Sequence, residues 1–296
     1  MKRDFLALSD FTAEEHAVLF RRAAELKEAR RRGEVVRTLE GRTLLLLFEK
    51  HSTRTRLSFE AAIGQLGGAA ITLPMQDSQI SRGESLSDTG AVASRYVDAI
   101  MYRTFGDDRL RELARAATVP VINGLSDGGH PVQLLADLFT VQERFGSLRG
   151  NVVAWVGDGA SNMARSWIEA APLFGFTLRI SAPEGFRPPR GPGFEFVADA
   201  REAVRGANVV TTDVWISMGQ EKEAAARRKA FASYCVDEAL MRQAKPSAIV
   251  LHCLPAHRGE EISAGVIDGP QSAVLDEAEN RLHVQKALLE ALIVRR

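Results

Sequence analysis

Only two cysteines, Cys235 and Cys253, occur among the 296 residues, and neither belongs to a CxxC or other metal-ligand spacing. A reducing compartment such as the cytoplasm fits this better than a disulfide scaffold does. Charge of one sign is also missing: 38 Lys and Arg balance 38 Asp and Glu, a formal net charge of zero. No global field recruits nucleic acid or an acidic membrane, so any anion must be held by a local cluster. No apolar run approaches the ~20 residues needed to span a bilayer. The opening Met1-Lys2-Arg3-Asp4-Phe5 lacks the apolar core and cleavage site of a signal peptide. Internal repeats and low-complexity tracts are absent too. What remains is a soluble globular composition, at a length that suits two domains of about 150 residues each.

Short apolar or β-branched runs alternate with amphipathic stretches along the whole chain. Strands are expected at 43–48, 69–73, 99–102 and 119–122, and then at 152–156, 177–180, 194–197, 209–212 and 248–252. Helical patterns lie at 57–66, 86–95, 109–117, 132–145 and 163–173, with a last one at 277–294. Such alternation predicts an α/β protein of two domains, each a parallel sheet flanked by helices. Gly146-Ser147-Leu148-Arg149-Gly150 interrupts a helix and marks the junction, giving domains 1–147 and 148–278. The Pro/Gly-rich stretch 183–193 reads as a loop inside the second domain.

In open parallel sheets, ligands collect beyond the carboxyl ends of the strands. The unusual residues of this chain fall at such places repeatedly. Phe48-Glu49-Lys50-His51-Ser52-Thr53-Arg54-Thr55-Arg56 follows the run Leu44 to Leu47 and leads into a helical pattern. Free N–H groups at a helix start favour an anion, and the hydroxyls and forked guanidinium groups add donors. The bland alternative is a Ser/Thr cap with solvated arginines. Arg103 closes the strand at 99–102, where it is either a surface charge or a second anion ligand. His130-Pro131-Val132-Gln133 opens a helix, with Pro131 suited to its first position. His130 there caps the helix or, with Gln133, hydrogen-bonds a small carbonyl and amide.

In the second half, Val156-Gly157-Asp158-Gly159-Ala160-Ser161-Asn162 joins a strand to a helix. It invites a dinucleotide reading but lacks the GxGxxG spacing; Asn162 caps the helix or meets a ligand. Asp213-Val214-Trp215-Ile216-Ser217-Met218-Gly219 follows a strand. Its carboxylate either caps a helix or orients a cationic amine, beside an amino-acid head group held by Ser217 and Met218. His252-Cys253-Leu254-Pro255 ends another strand in a bend fixed by proline. Cys253 is there an inert thiol or part of the pocket of a nucleophile. Arg281 opens the last helix, as a surface charge or a ligand.

Together these segments resemble the ornithine carbamoyltransferases nearly end to end. The Phe48–Arg56 and His130–Gln133 segments are shared with carbamoyltransferases generally. The Asp213–Gly219 and His252–Pro255 segments separate the ornithine enzymes from their aspartate-using relatives. The resemblance implies transfer of the carbamoyl group of carbamoyl phosphate to the side-chain amine of L-ornithine, giving L-citrulline and phosphate in arginine metabolism. It also implies trimers or multiples of trimers, and a C-terminal helix, about 279–296, that packs back on the first domain. By resemblance Ser52, Thr53, Arg54, Thr55 and Arg103 hold the phosphate, while Thr55, Arg103, His130 and Gln133 surround the carbamoyl group. Gln79 matches a position reaching into a neighbouring subunit's site. Asn162, Asp213, Ser217 and Met218 match ornithine ligands, and Cys253, Leu254 and Arg281 complete the carbamoyl-phosphate pocket. Arg103, His130, Asp213 and Cys253 are then the catalytic set, with no metal and no organic cofactor. The rival readings are a carbamoyltransferase for another amine, a nucleotide-dependent oxidoreductase and a non-catalytic binding protein.

Overall fold

A computed structural model of the chain describes residues 2–217 and 219–294. It divides into two compact units, Met1–Leu135 with Asn280–Arg296, and Ala136–Glu279. The first division falls inside a helix and the second inside the last helix, so neither coincides with the glycine-flanked interruption at 146–150.

The first unit begins with α1 (Ala13–Arg31), a helix absent from the sequence expectations. Its start signal is nonetheless legible. Thr12 accepts the Glu15 N–H at 3.3 Å and Glu15 accepts the Thr12 N–H at 2.9 Å, a reciprocal capping box. There follow β1 (Thr43–Phe48), α2 (Thr53–Gln65), β2 (Ala69–Pro74), α3 (Leu86–Ala93), β3 (Ala99–Arg103), α4 (Asp107–Ala116), β4 (Val121–Leu125) and α5 (Pro131–Phe145). The strand order is β2-β1-β3-β4, and every pair is parallel. Leu44 to Phe48 are all buried, as a strand covered on both faces requires. Each such leucine contributes about 1.5–3 kcal/mol relative to exposure. β4 starts later than the apolar pattern suggests and runs through Asn123 and Gly124. Asn123 is tolerated there because its amide donates to the Leu6 carbonyl at 3.0 Å and to Ser126 Oγ at 3.2 Å.

The second unit contains β5 (Val152–Val156), α6 (Asn162–Phe174), β6 (Thr177–Ser181), β7 (Glu195–Phe196), α7 (Ala200–Val204), β8 (Val209–Thr212), α8 (Ala224–Phe231), α9 (Glu238–Met241), β9 (Ile249–His252), α10 (Ala264–Ile267) and the start of α11 (Val274–Ile293). Its sheet is parallel throughout, in the order β7-β6-β5-β8-β9. From Asn280 onward α11 belongs to the first unit. There Lys27 Nζ donates to Asn280 Oδ1 at 2.7 Å, and Arg22 Nε pairs with Glu290 at 2.6 Å. Among the described residues no helix is long and apolar enough to cross a membrane.

Strand order fixes where each sheet offers a ligand crevice. In the first sheet the chain leaves β1 towards β2 and then crosses to β3 on the other side. The switch point is thus beyond the ends of β1 and β3. In the second it lies beyond β5 and β8, for the same reason.

Candidate functional site

In the first unit the anion-binding candidates gather at that switch point. Ser52 is the N-cap of α2, its hydroxyl accepting the Thr55 N–H at 3.3 Å, so the helix begins at Thr53, four residues before the apolar pattern does. The capping reading therefore holds for Ser52, and it leaves the side chains of Thr53, Arg54 and Thr55 on the first turn, at the positive end of the helix dipole. Arg103 is the last residue of β3 and is buried. Beside it the pairing with β4 slips, from Tyr102 opposite Asn123 to Arg103 opposite Leu125. Such irregularities re-aim a side chain at the end of a strand.

Arg281, buried on α11, donates to Gln133 Oε1 on α5 and, at 2.9 Å, to Thr55 Oγ1 on α2. One guanidinium thereby ties three helices around one spot. His130, immediately before α5, is buried at the same place. Burial and the neighbouring charges of Arg281, Arg103 and Arg54 hold its imidazole well below the ordinary 6.5. It is therefore neutral at physiological pH, able to donate one hydrogen bond without adding charge. Between that lower value and 6.5 the unfolded chain takes up a proton that the folded one refuses. Stability is thus fully present above this window and falls as pH drops through it. Thermal melts should lose midpoint between about pH 7.5 and about pH 5.5, and His130→Gln should lose less. Equal losses would show that His130 does not carry this dependence. Gln79 stands exposed in a 3₁₀ turn, Gln79–Arg82.

In the second unit the loops after β8 and β9 meet. Cys253 Sγ donates to Asp213 Oδ1 at 3.3 Å, and the Val214 N–H donates to the same oxygen at 2.8 Å. Asp213 caps no helix. Burial raises its carboxyl, with His252 and these donors acting in the opposite direction. Burial and then the Asp213 charge push the Cys253 thiol well up. Cys253 is consequently a neutral donor rather than a thiolate nucleophile. Leu254 adopts a left-handed backbone, φ 56°, ahead of a cis peptide to Pro255. Its N–H donates to His252 Nδ1 at 2.9 Å, so the imidazole proton resides on Nε2, 3.1 Å from the fully buried Glu261. The donor atoms of Asp213, His252 and Cys253 lie within 4.8 Å of one another, a spacing that suits a metal ion. Both His252 nitrogens are already engaged, however, which leaves the imidazole no lone pair for a metal.

Asn162 is the first residue of α6; the cap is Ser161, which accepts the Ala164 N–H at 3.2 Å. The glycines before it serve packing. Gly157 has φ 145°, and a Cβ on Gly159 would lie 2.6 Å from Pro188. Ser217 donates its N–H to Gln220 Oε1 at 3.0 Å, within the loop after β8. The expected ligand Met218 lies outside the described residues. Three buried partners escape a reading of the sequence. Asp158 pairs with Arg227, whose Nε donates to the Trp215 carbonyl at 2.5 Å, linking the loops after β5 and β8. The others are Glu261 and Glu49. Asp158, inside the Gly-Asp-Gly turn, and Glu49, inside the Phe48–Arg56 segment, stood in stretches the sequence singles out, whereas Glu261 carried no local signal.

Both halves of the chain match known proteins. Residues 3–143 match the carbamoyl-P binding domain, and residues 149–292 the Asp/Orn binding domain, of aspartate/ornithine carbamoyltransferase. The chain belongs to the aspartate/ornithine carbamoyltransferase family. An ornithine carbamoyltransferase of Halorhodospira halophila is 54% identical over 298 residues, 99% of each chain. Among solved structures, the ornithine carbamoyltransferase of Pyrococcus furiosus superposes with a TM-score of 0.95 at 47% identity, over 99% of this chain and 98% of that one. That of Burkholderia thailandensis gives 0.91 at 48%, over 99% of both.

Proposed function

We propose that the chain transfers the carbamoyl group of carbamoyl phosphate to the side-chain amine of L-ornithine, giving L-citrulline and phosphate. The observation that carries this reading is the meeting of Asp213 and Cys253 at 3.3 Å, from the two segments that distinguish ornithine enzymes from aspartate enzymes. A carboxylate carrying a thiol donor suits a cationic amine and not the carboxylate side chain of aspartate.

The roles follow from the chemistry. Residues 1–147 with 279–296 serve carbamoyl phosphate, and residues 148–278 serve ornithine. Ser52, Thr53, Arg54 and Thr55 bind the phosphate at the start of α2, where forked donors and the helix dipole neutralise charge as the C–O bond breaks. Arg103, Thr55 and neutral His130 donate to the carbonyl oxygen as negative charge develops on it. Gln133, oriented by Arg281, and the Cys253–Leu254 segment receive the carbamoyl amide. Asn162, Ser217 and Met218 hold the α-amino acid end of ornithine. Asp213 and Cys253 orient its amine, which must shed a proton before attack because an ammonium with a pKa near ~10 has no lone pair. Solvent takes that first proton; as the new N–C bond forms and the carbamoyl–phosphate bond breaks, the departing phosphate accepts the second proton from the attacking nitrogen. No step calls for a metal or an organic cofactor. Exposed Gln79 reaches a neighbouring subunit's site in a trimer or a multiple of trimers, in the cytoplasm.

The test is carbamoyl transfer from carbamoyl phosphate to L-ornithine, putrescine or N-acetylornithine, read as the ureido product of each and as citrulline for L-ornithine. L-Ornithine should exceed both rivals by about 10²-fold or more in kcat/KM, because each alters a group that the amino-acid ligands are set to bind. Equal turnover of putrescine would sink the assignment of Ser217 and Asn162. Absence of citrulline from folded protein would sink the reading as a whole.

A further inference from the structure

Glu49 belongs to the same segment as the phosphate ligands, yet its side chain takes no part in the chemistry above. Its carboxylate is nearly buried, with 5% of the side chain exposed. Four donors converge on it. Tyr102 Oη donates to Oε1, Thr104 Oγ1 donates to Oε2 at 2.6 Å, and Arg109 donates from Nε at 2.9 Å and from Nη2 at 2.5 Å. The backbone N–H of Glu49 meanwhile donates to the Arg103 carbonyl at 2.8 Å.

Those partners are not scattered. Tyr102 and Thr104 flank Arg103 in sequence, and residues two apart on extended chain project from the same face while the one between projects from the other. One carboxylate therefore grips the chain on both sides of Arg103, at the end of β3, and one N–H grips Arg103 itself. The grip falls where regular pairing with β4 lapses, between Tyr102 and Arg103. The ladder to β4 thus changes register just where Glu49 takes hold. Burial pushes the Glu49 carboxyl up, but the bonds from Arg109, Thr104 and Tyr102 outweigh it and keep the group ionised. A buried carboxylate with this many donors is well satisfied, and its removal leaves Tyr102, Thr104 and Arg109 without their shared acceptor.

We infer that Glu49 is a positioning residue for Arg103: by clamping Tyr102 and Thr104 it fixes the angle at which the Arg103 guanidinium meets the carbamoyl oxygen. The inference rests on the proposed role of Arg103. Because transition-state donors must be aimed to within a fraction of an ångström, misaiming Arg103 lowers kcat rather than substrate binding.

A double-mutant cycle separates this from a merely structural role. Glu49→Gln is isosteric but places an amide where four donors expect an anion. It should lower kcat by about 10- to 100-fold, with the KM for carbamoyl phosphate changed by less than about threefold. In an Arg103→Ala background the same change should cost less than about twofold, since the group it aims is gone. Full additivity of the two losses overturns the inference. An Arg103→Ala enzyme with wild-type turnover overturns instead the role of Arg103 on which it rests. If Glu49→Gln does not fold, Thr104→Val removes one anchor and leaves the carboxylate. It should show a smaller loss of kcat, again absent without Arg103, and a loss that persists there counts against the proposal equally.

Discussion

Arg54→Ala is expected to reduce kcat/KM for carbamoyl phosphate by about 10²–10³-fold while leaving the ornithine KM nearly unchanged. Arg54 sits on the first turn of α2, with two further arginines, Arg103 and Arg281, close enough to depress His130. A phosphate entering this cluster is met by helix N–H groups and by forked donors of fixed charge. Alanine removes one fork and leaves the helix start intact, because the cap is Ser52 and not Arg54. The melting temperature should accordingly stay within about 2 °C, a surface-like response for a half-buried side chain outside the core. Steady-state kinetics with each substrate varied in turn would check this. A rise in the ornithine KM alone would assign Arg54 to the other substrate.

Asp213→Asn should separate activity from stability in the opposite way. The Asp213 carboxyl is raised by burial, so the folded chain holds its proton more tightly than the unfolded one. Stability contributed by the protonated group is complete below the ordinary 3.8 and is lost as pH rises through the raised folded value. An ionised carboxylate at this site is therefore a net cost to folding. Asparagine keeps an acceptor for the Val214 N–H and removes that cost, so the variant should melt at or above the wild-type temperature at about pH 7. Turnover should nonetheless fall by about 10²–10³-fold, since the amine loses its anionic partner. A variant that is both less stable and fully active would contradict both halves of the account. The residue is then an example of a site retained for chemistry at the expense of folding.

Much of the architecture is local physics. Leu44 to Phe48 read as a strand covered on both faces, and the β/α alternation predicts two parallel sheets, because side-chain periodicity and chain length are properties of short segments. Ser52, Pro131 and Thr12-x-x-Glu15 mark helix starts for the same reason. Residues at strand ends, among them Arg54, Arg103, His130, Asp213 and Cys253, are legible as candidates because unusual groups there do little for a core.

Partners are a different matter. Nothing near Arg281 announces that it binds Gln133 and Thr55, residues 148 and 226 positions away. Nothing near Glu49 announces Tyr102, Thr104 and Arg109, and nothing in α8 marks Arg227 as the partner of Asp158. By itself the sequence determined which residue types stand at the ends of which strands, since that depends on neighbours a few positions away. The tertiary structure alone decided which of them share a hydrogen bond, which are buried and hence which way their protons lie. Those depend on strand order and on the environment it imposes, and no spacing along the chain encodes either.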